Sequence, residues 1–151
     1  MQKVTFGAGC FWGVEEEFRK TAGVNHTVVG YMGGWKEDPS YEDVCAGNTG
    51  HAEVVQVTFD DSLMTFNELL DVFFAIHDPT TKDQQGPDIG SQYRSVIFFH
   101  SPEQKKLAED KKFELNKAKR FPSPVVTEIT KASTFYPAED YHQKYYERLY
   151  E

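Results

Sequence analysis

Lys3-Val4-Thr5-Phe6-Gly7-Ala8-Gly9-Cys10-Phe11-Trp12-Gly13 passes from an apolar strand, through a glycine, into the start of a helix, and sets a cysteine at the junction. Residues 3–8 read as the strand, and residues 11–20 read as a helix with Val14 and Phe18 on one face. A cysteine at a helix start meets unpaired backbone N–H groups and the positive end of the helix dipole, and both favour the nucleophilic thiolate. Gly9 and Gly13 let the backbone turn tightly and leave the sulfur uncovered, while Phe11 and Trp12 can wall an apolar pocket beside it. Cys10 is therefore a candidate nucleophile, against the competing reading of a buried structural cysteine. The run Glu15-Glu16-Glu17 opposes a thiolate, and if Cys10 is reactive those carboxylates are expected to point outward.

Outward from this junction the chain keeps alternating strand and helix. Residues 25–31 are a β-branched run, Gly33-Gly34 breaks the pattern, and residues 53–59 alternate as a strand through Val54, Val55, Val57 and Phe59. Residues 65–76 form a helix whose Phe66, Leu69, Leu70 and Phe73 make an apolar stripe. Residues 93–99 are a further strand. Ser101-Pro102-Glu103 opens a helix with a serine cap, proline in the first turn and early acidic charge, leading into a charged, solvated segment to residue 119. Residues 125–129 read as a strand and residues 138–149 as a final helix rich in tyrosine. With no repeat, low-complexity stretch or linker, the order predicts one α+β domain over residues 1–151: a two-layer sandwich of a mixed β-sheet with helices packed on it.

Composition narrows the function classes. The 151 residues, 39% hydrophobic, suffice for one real core. A net charge of -8, from 16 basic and 24 acidic residues, offers no continuous positive surface for nucleic acid or an anionic membrane. The opening Met-Gln-Lys-Val-Thr-Phe is no signal peptide and no stretch approaches spanning length, which predicts a cytoplasmic protein, with monomer as the default. Two cysteines do not make a disulfide framework, so chemistry explains them better than stapling.

Two stretches are too polar and too glycine-rich to be scaffold. The first runs from Tyr41 through Cys45 to Gly47-Asn48-Thr49-Gly50-His51-Ala52-Glu53. Glu53 stands where this loop becomes an apolar strand; partial burial would raise its pKa and leave a protonated acid near neutral pH, whereas a solvated strand-start glutamate is the plainer alternative. The second joins His77-Asp78-Pro79-Thr80-Thr81 to Asp88-Ile89-Gly90-Ser91-Gln92-Tyr93-Arg94-Ser95. A connection of about 16 residues is long for a compact domain, and such loops tend to bind or catalyse.

Taken together, these residues resemble the A-type peptide methionine sulfoxide reductases. The resemblance is carried by Gly9-Cys10-Phe11-Trp12-Gly13, Gly30-Tyr31-Met32-Gly33-Gly34, Tyr41 with Cys45 and Gly50-His51-Ala52-Glu53, His77-Asp78-Pro79-Thr80, Asp88 with Gln92-Tyr93-Arg94-Ser95, and Ala138-Glu139-Asp140-Tyr141-His142-Gln143, in the family's order. It implies a ferredoxin-like fold and thiol-dependent reduction of the S epimer of methionine sulfoxide, free or in proteins, in the repair of oxidised proteins. By that likeness Cys10 is the nucleophile and ends as a sulfenic acid. Phe11 and Trp12 hold the substrate's S-methyl group, Glu53 protonates the sulfoxide oxygen, Tyr41 and Tyr93 donate hydrogen bonds to that oxygen, and Asp88 holds the polar network. The inverted epimer would press its oxygen against rings, at a cost of about 1–3 kcal/mol or more. No metal or bound cofactor is implied, only an external thiol: thioredoxin, glutaredoxin or a small thiol.

Many members carry resolving cysteines in a carboxy-terminal tail, and residues 145–151 here contain none, which leaves Cys45 as the internal candidate. Direct attack by an external thiol on the Cys10 sulfenic acid competes with a Cys10–Cys45 bridge. The five histidines are scattered without metal-ligand spacing, and His51, His77 and His142 suit loop-fixing roles. Tyr136 and Tyr141 either border the site or pack in an aromatic helix. Rival classes are a Cys-His hydrolase, which needs an oriented base beside Cys10, a noncatalytic methionine-peptide binding module, and a thiol peroxidase.

Overall fold

β1 (Gln2–Ala8) becomes the centre of the sheet because every residue from Val4 to Ala8 is buried, a demand that only a strand covered on both faces meets. It lies between β3 (Ala52–Phe59) and β6 (Ser95–Phe99), antiparallel to both. β2 (Val24–Met32) pairs antiparallel with β3 and carries the short β8 (Tyr136–Pro137) on its outer edge. β7 (Glu128–Lys131) runs parallel to β6, so the sheet is mixed, in the order β7-β6-β1-β3-β2-β8. This computed structural model describes residues 1–149.

α1 (Phe11–Arg19) links β1 to β2, and α3 (Phe66–Ala75) follows β3 on the way to β6. With the central order β6-β1-β3-β2, this is the ferredoxin-like βαββαβ arrangement. The loops carry α2 (Tyr41–Cys45) and a hairpin of β4 (Gln84–Gln85) with β5 (Asp88–Ile89); α4 (Pro102–Lys117) leads to the parallel β7, and α5 (Tyr145–Leu149) closes the described chain.

One sheet face takes the helices. Phe6 stacks between Phe18 of α1, 5.1 Å between ring centroids, and Phe73 of α3, at 4.8 Å. The stripe Phe66, Leu69, Leu70 and Phe73 is buried there, and each such side chain stabilises the fold by about 1.5–3 kcal/mol. α3 starts where Thr65 accepts the Glu68 N–H and Glu68 accepts the Thr65 N–H, a reciprocal cap. The opposite face holds a smaller cluster, Met32, Ala52, Val54, Val96 and Phe98, under Ala132 and Phe135. The architecture is thus the expected α+β one, a mixed sheet with helices packed on it.

Three expectations need correction. Residues 138–149 are not one helix: a 3₁₀ turn at Asp140–His142 is separated from α5 by Lys144, whose φ of 54° interrupts any helix. The strand expected at residues 125–129 is β7, three residues later, because Val126 donates its N–H to the Pro79 carbonyl instead of a sheet neighbour. Tyr93 ends a 3₁₀ turn and precedes β6.

Antiparallel pairing brings chemistry to one end of the sheet. Met32 faces Ala52, Ala8 faces Ser95, and Phe6 faces Val55. The ends of β1 and β2 therefore meet the beginnings of β3 and β6, which gathers Cys10, Glu53 and the loop after β5 together.

Candidate active site

Cys10 occupies the residue before α1, with φ -57° and ψ 122°, and its carbonyl accepts the first helical N–H, from Val14. The expected helix effect exists: backbone N–H groups of Trp12 and Gly13 act on the sulfur and lower its pKa. Burial outweighs them, and the carboxyls of Glu53 and Asp88 add to it, so the thiol is pushed up to about 11. The resting state is a thiol and not the thiolate expected from the helix start. Glu15, expected to point outward, is buried at 1% exposure, where it accepts hydrogen bonds from Thr27 Oγ1 (2.8 Å), Lys144 N (2.7 Å) and Lys144 Nζ (3.2 Å). Glu17 alone of the three is exposed.

Glu53, the second residue of β3 and opposite Tyr31, is 1% exposed. Its Oε1 accepts the Phe11 N–H at 3.2 Å, and its Oε2 is buried with no partner among the described residues. Burial first, and the Asp88 charge after it, push the carboxyl up to about 7 against the pull of the Phe11 N–H. The buried-acid reading of Glu53 holds over the solvated one.

Tyr41 and Tyr93 both stand close enough to feel the charge of this acid. Tyr41 starts α2, whose Ser40 cap and Asp43 satisfy each other's N–H groups; burial and then the Cys45 thiol hold its hydroxyl well above the usual tyrosine range. Burial and the charge of Glu53 push Tyr93 up to about 12, with Cys45, Asp88 and Cys10 also acting on it. Cys45, at the far end of α2, is an exposed free thiol; partial burial raises it and the Tyr41 hydroxyl lowers it. Asp88 differs from expectation: it stands exposed in the two-residue β5, paired with Gln85, its carboxyl makes no hydrogen bond among the described residues, and it acts on Cys10 and Glu53 through its charge.

The aromatic wall is larger than Phe11 and Trp12. Phe11 is buried against Tyr31, Tyr41 and His142, with ring centroids 5.8, 6.3 and 5.3 Å away. Trp12 stacks on Tyr145 at 4.1 Å and 12°, and its indole N–H donates to His142 Nδ1 at 2.9 Å. The segment that looked helical in sequence supplies these clamps: Glu139 accepts from Tyr31 Oη (3.0 Å) and from the Tyr41 N–H (3.1 Å), and the Gln143 amide pairs with both backbone groups of Val29. Tyr31, Glu139, Gln143 and Tyr145 were not singled out as site residues from sequence. Tyr31, Glu139 and Gln143 were hinted at only by their place in the matching blocks, and Tyr145 by nothing more than the tyrosine-rich run.

Apart from His142, which is bonded to Trp12, the histidines lie away from the thiol. His51 takes the Gly34 N–H on Nδ1 and meets the Lys36 carbonyl through Nε2, tying the loop after β2 to the start of β3. His77, pushed down to about 4 by burial, bridges the Phe73 carbonyl and Ser95 Oγ. His100 bonds Thr5, and His26 is exposed. No histidine hydrogen-bonds Cys10 among the described residues, His142 included, so the oriented base that a Cys-His hydrolase needs is not in place.

A thiol, a buried neutral acid with one free oxygen, two tyrosine hydroxyls and an aromatic wall suit the reduction of a small polar group carried next to a methyl. The family model for peptide methionine sulfoxide reductase matches residues 2–151. The chain belongs to that family. It is an oxidoreductase that acts on methionine sulfoxide. Its relatives include peptide methionine sulfoxide reductase MsrA of Methanothermobacter thermautotrophicus, 60% identical over 147 residues, which are 97% of this chain and 87% of the relative. MsrA of Geobacter sulfurreducens is 57% identical over 98% of this chain and 91% of its own. Among solved structures, reduced Mxr1 from Saccharomyces cerevisiae superposes with a TM-score of 0.90 at 42% identity, over 97% of this chain and 84% of its own. Mxr1 in complex with Trx2 superposes at 0.65 and 32% identity, over 95% of this chain and 84% of its own. No helix among the described residues is long and apolar enough to cross a membrane.

Proposed function

We propose that Cys10 attacks the sulfur of a methionine sulfoxide, S epimer, whose oxygen is held by the neutral Glu53 carboxyl with Tyr41 and Tyr93, and whose methyl lies against Phe11 and Trp12. The observation that carries this reading is the half-committed Glu53: one oxygen is fixed by Phe11 N–H, the other is buried, free and able to bear a proton at neutral pH. A sulfoxide hydrogen-bonded at oxygen has a more positive sulfur, and positive charge beside the thiol draws its pKa down. Substrate itself thus activates a nucleophile that is quiet at rest.

The step balances. The thiol proton is lost to water as the Cys10 Sγ–sulfur bond forms, and Glu53 gives its proton to the sulfoxide oxygen. As the protonated oxygen passes from the substrate sulfur to Sγ, the S–O bond and the transient S–S bond both break; oxygen ends as the hydroxyl of a Cys10 sulfenic acid, methionine leaves with the electron pair on its sulfur, and Glu53 takes back a proton from water. The substrate sulfur gains two electrons and the cysteine sulfur loses two. An external thiol then reduces the sulfenic acid. The complex of the relative Mxr1 with Trx2 supports a thioredoxin in that role, and a cytoplasmic monomer suits it. Cys45 is the only other cysteine of the 151 residues, and a transient Cys10–Cys45 disulfide is the competing route.

Turnover of separated S and R epimers of a blocked methionine sulfoxide, with dithiothreitol as reductant, tests the reading. Reduction of the S epimer alone, abolished in Cys10→Ser, supports it. Equal turnover of both epimers, or activity surviving in Cys10→Ser, contradicts it. Cys45→Ser that keeps full turnover with thioredoxin supports direct attack; loss of turnover with a preserved first round favours the disulfide.

A further inference from the structure

Trp12 and His142 lie 130 residues apart in sequence and are joined by one hydrogen bond, indole Nε1–H to imidazole Nδ1 at 2.9 Å. We propose that His142 is a positioning residue that fixes the in-plane orientation of Trp12, and with it the wall that receives the substrate's methyl group. This rests on the active-site reading above.

Stacking alone cannot do this. Trp12 lies nearly parallel to Tyr145, and a stacked ring is free to slide and turn within its own plane. A hydrogen bond at the ring edge removes that freedom, provided the acceptor is itself immobile. His142 meets the condition: it is 0% exposed, its backbone N–H closes a 3₁₀ turn onto the Glu139 carbonyl at 2.9 Å, and Tyr141 and Tyr41 flank its ring at 4.1 and 4.3 Å.

The other nitrogen shows what the residue is for. Because Nδ1 accepts, the proton of the neutral ring sits on Nε2, and Nε2 is buried with no partner among the described residues. A phenylalanine would fill this niche among Phe11, Trp12 and the tyrosines without stranding a buried donor, which is costly to leave unmade. The gain that offsets this is the acceptor offered to Trp12. Burial keeps the ring neutral against the opposing pull of Glu139 and Glu42, and a protonated ring would turn Nδ1 into a second donor facing the indole N–H.

The test is single-turnover reduction of the blocked S sulfoxide by reduced enzyme, read as limiting rate and half-saturating concentration. His142→Phe keeps the aromatic packing and removes the acceptor. It is expected to raise the half-saturating concentration roughly tenfold and to leave the limiting rate within about twofold. His142→Asn sets an amide oxygen where Nδ1 stood and restores binding to within about threefold. In a Trp12→Phe background, which has no indole N–H, His142→Phe adds nothing further. The proposal is overturned if His142→Phe lowers the limiting rate with saturation unchanged, if Asn fails to rescue, or if the full effect persists without the indole. Should His142→Phe not fold, His142→Gln takes its place, since its amide reaches the Nε2 position and leaves the indole unpaired. Wild-type enzyme that releases no methionine overturns the active-site reading itself; unchanged saturation in His142→Phe overturns this proposal alone.

Discussion

Glu53 Oε1 accepts the backbone N–H of Phe11 at 3.2 Å, so the buried acid is anchored to the residue immediately after Cys10, the proposed nucleophile. Acid and thiol cannot drift apart without breaking that bond. The same bond also leaves Oε2 as the one carboxyl oxygen free for substrate.

In the proposed mechanism the neutral form of Glu53 donates to the sulfoxide oxygen, and burial raises its pKa to about 7. Substrate affinity is therefore present below that value and lost as pH rises through it. In single-turnover titrations the half-saturating concentration of sulfoxide should increase above pH 7. Glu53→Gln, whose amide still donates but carries no transferable acid proton, should show pH-independent saturation and a limiting rate about 100-fold lower or less.

The same shift changes stability. Between the ordinary carboxyl value of 4.5 and about 7, the folded state holds a proton that the unfolded chain has released. Stability therefore falls as pH rises across that window, by about 3 kcal/mol in all. Urea unfolding at pH 5 and pH 8 should show this fall in wild type and a clearly smaller one in Glu53→Gln. An identical pH dependence in both would refute it.

Because burial pushes the Cys10 thiol up to about 11, the substrate-free enzyme should resist iodoacetamide at pH 7.5. The alkylation rate should climb about tenfold for each unit of pH toward that value. Glu53→Gln removes one of the charges that raise the thiol, so its profile should move to lower pH. Rapid labelling that is flat above pH 8 would show that the helix N–H groups prevail after all.

Glu15 and Lys144 are 129 residues apart and share an ion pair at 3.2 Å, with the carboxylate buried and the ammonium half-buried, and Lys144 Nζ also donates to the Thr27 carbonyl at 2.6 Å. Lys144→Met leaves the buried carboxylate with its Thr27 and backbone partners but without a counter-charge. A loss of about 1–3 kcal/mol is expected, seen as a lower urea midpoint, with Glu15→Gln/Lys144→Met recovering part of it.

That pair marks the boundary of what the sequence reveals. α3 and α4 were legible because a stripe and a serine-proline start are local signals, and the central strands because their β-branched runs are buried. α2, β4, β5 and β8 have two to five residues, too few for any period to register. Residues 138–149 misled because their side chains answer to other elements: Glu139 to Tyr31 and Tyr41, His142 to Trp12, Gln143 to Val29, Lys144 to Glu15. In the site, the residue types at Cys10, Phe11, Trp12 and Glu53 singled them out, and the structure brings them together. The sign of the Cys10 shift did not follow from them, because it depends on burial outweighing two N–H groups, and burial is a property of the whole fold.

The most direct test of the central claim is to mix fully reduced enzyme with excess S-methionine sulfoxide and no reductant, then weigh both products. One methionine per enzyme, with one added oxygen mapped to Cys10 and trapped by dimedone before any Cys10–Cys45 linkage, is the expected result. Methionine released without an oxygen on Cys10, or an oxygen carried first by another residue, would contradict it.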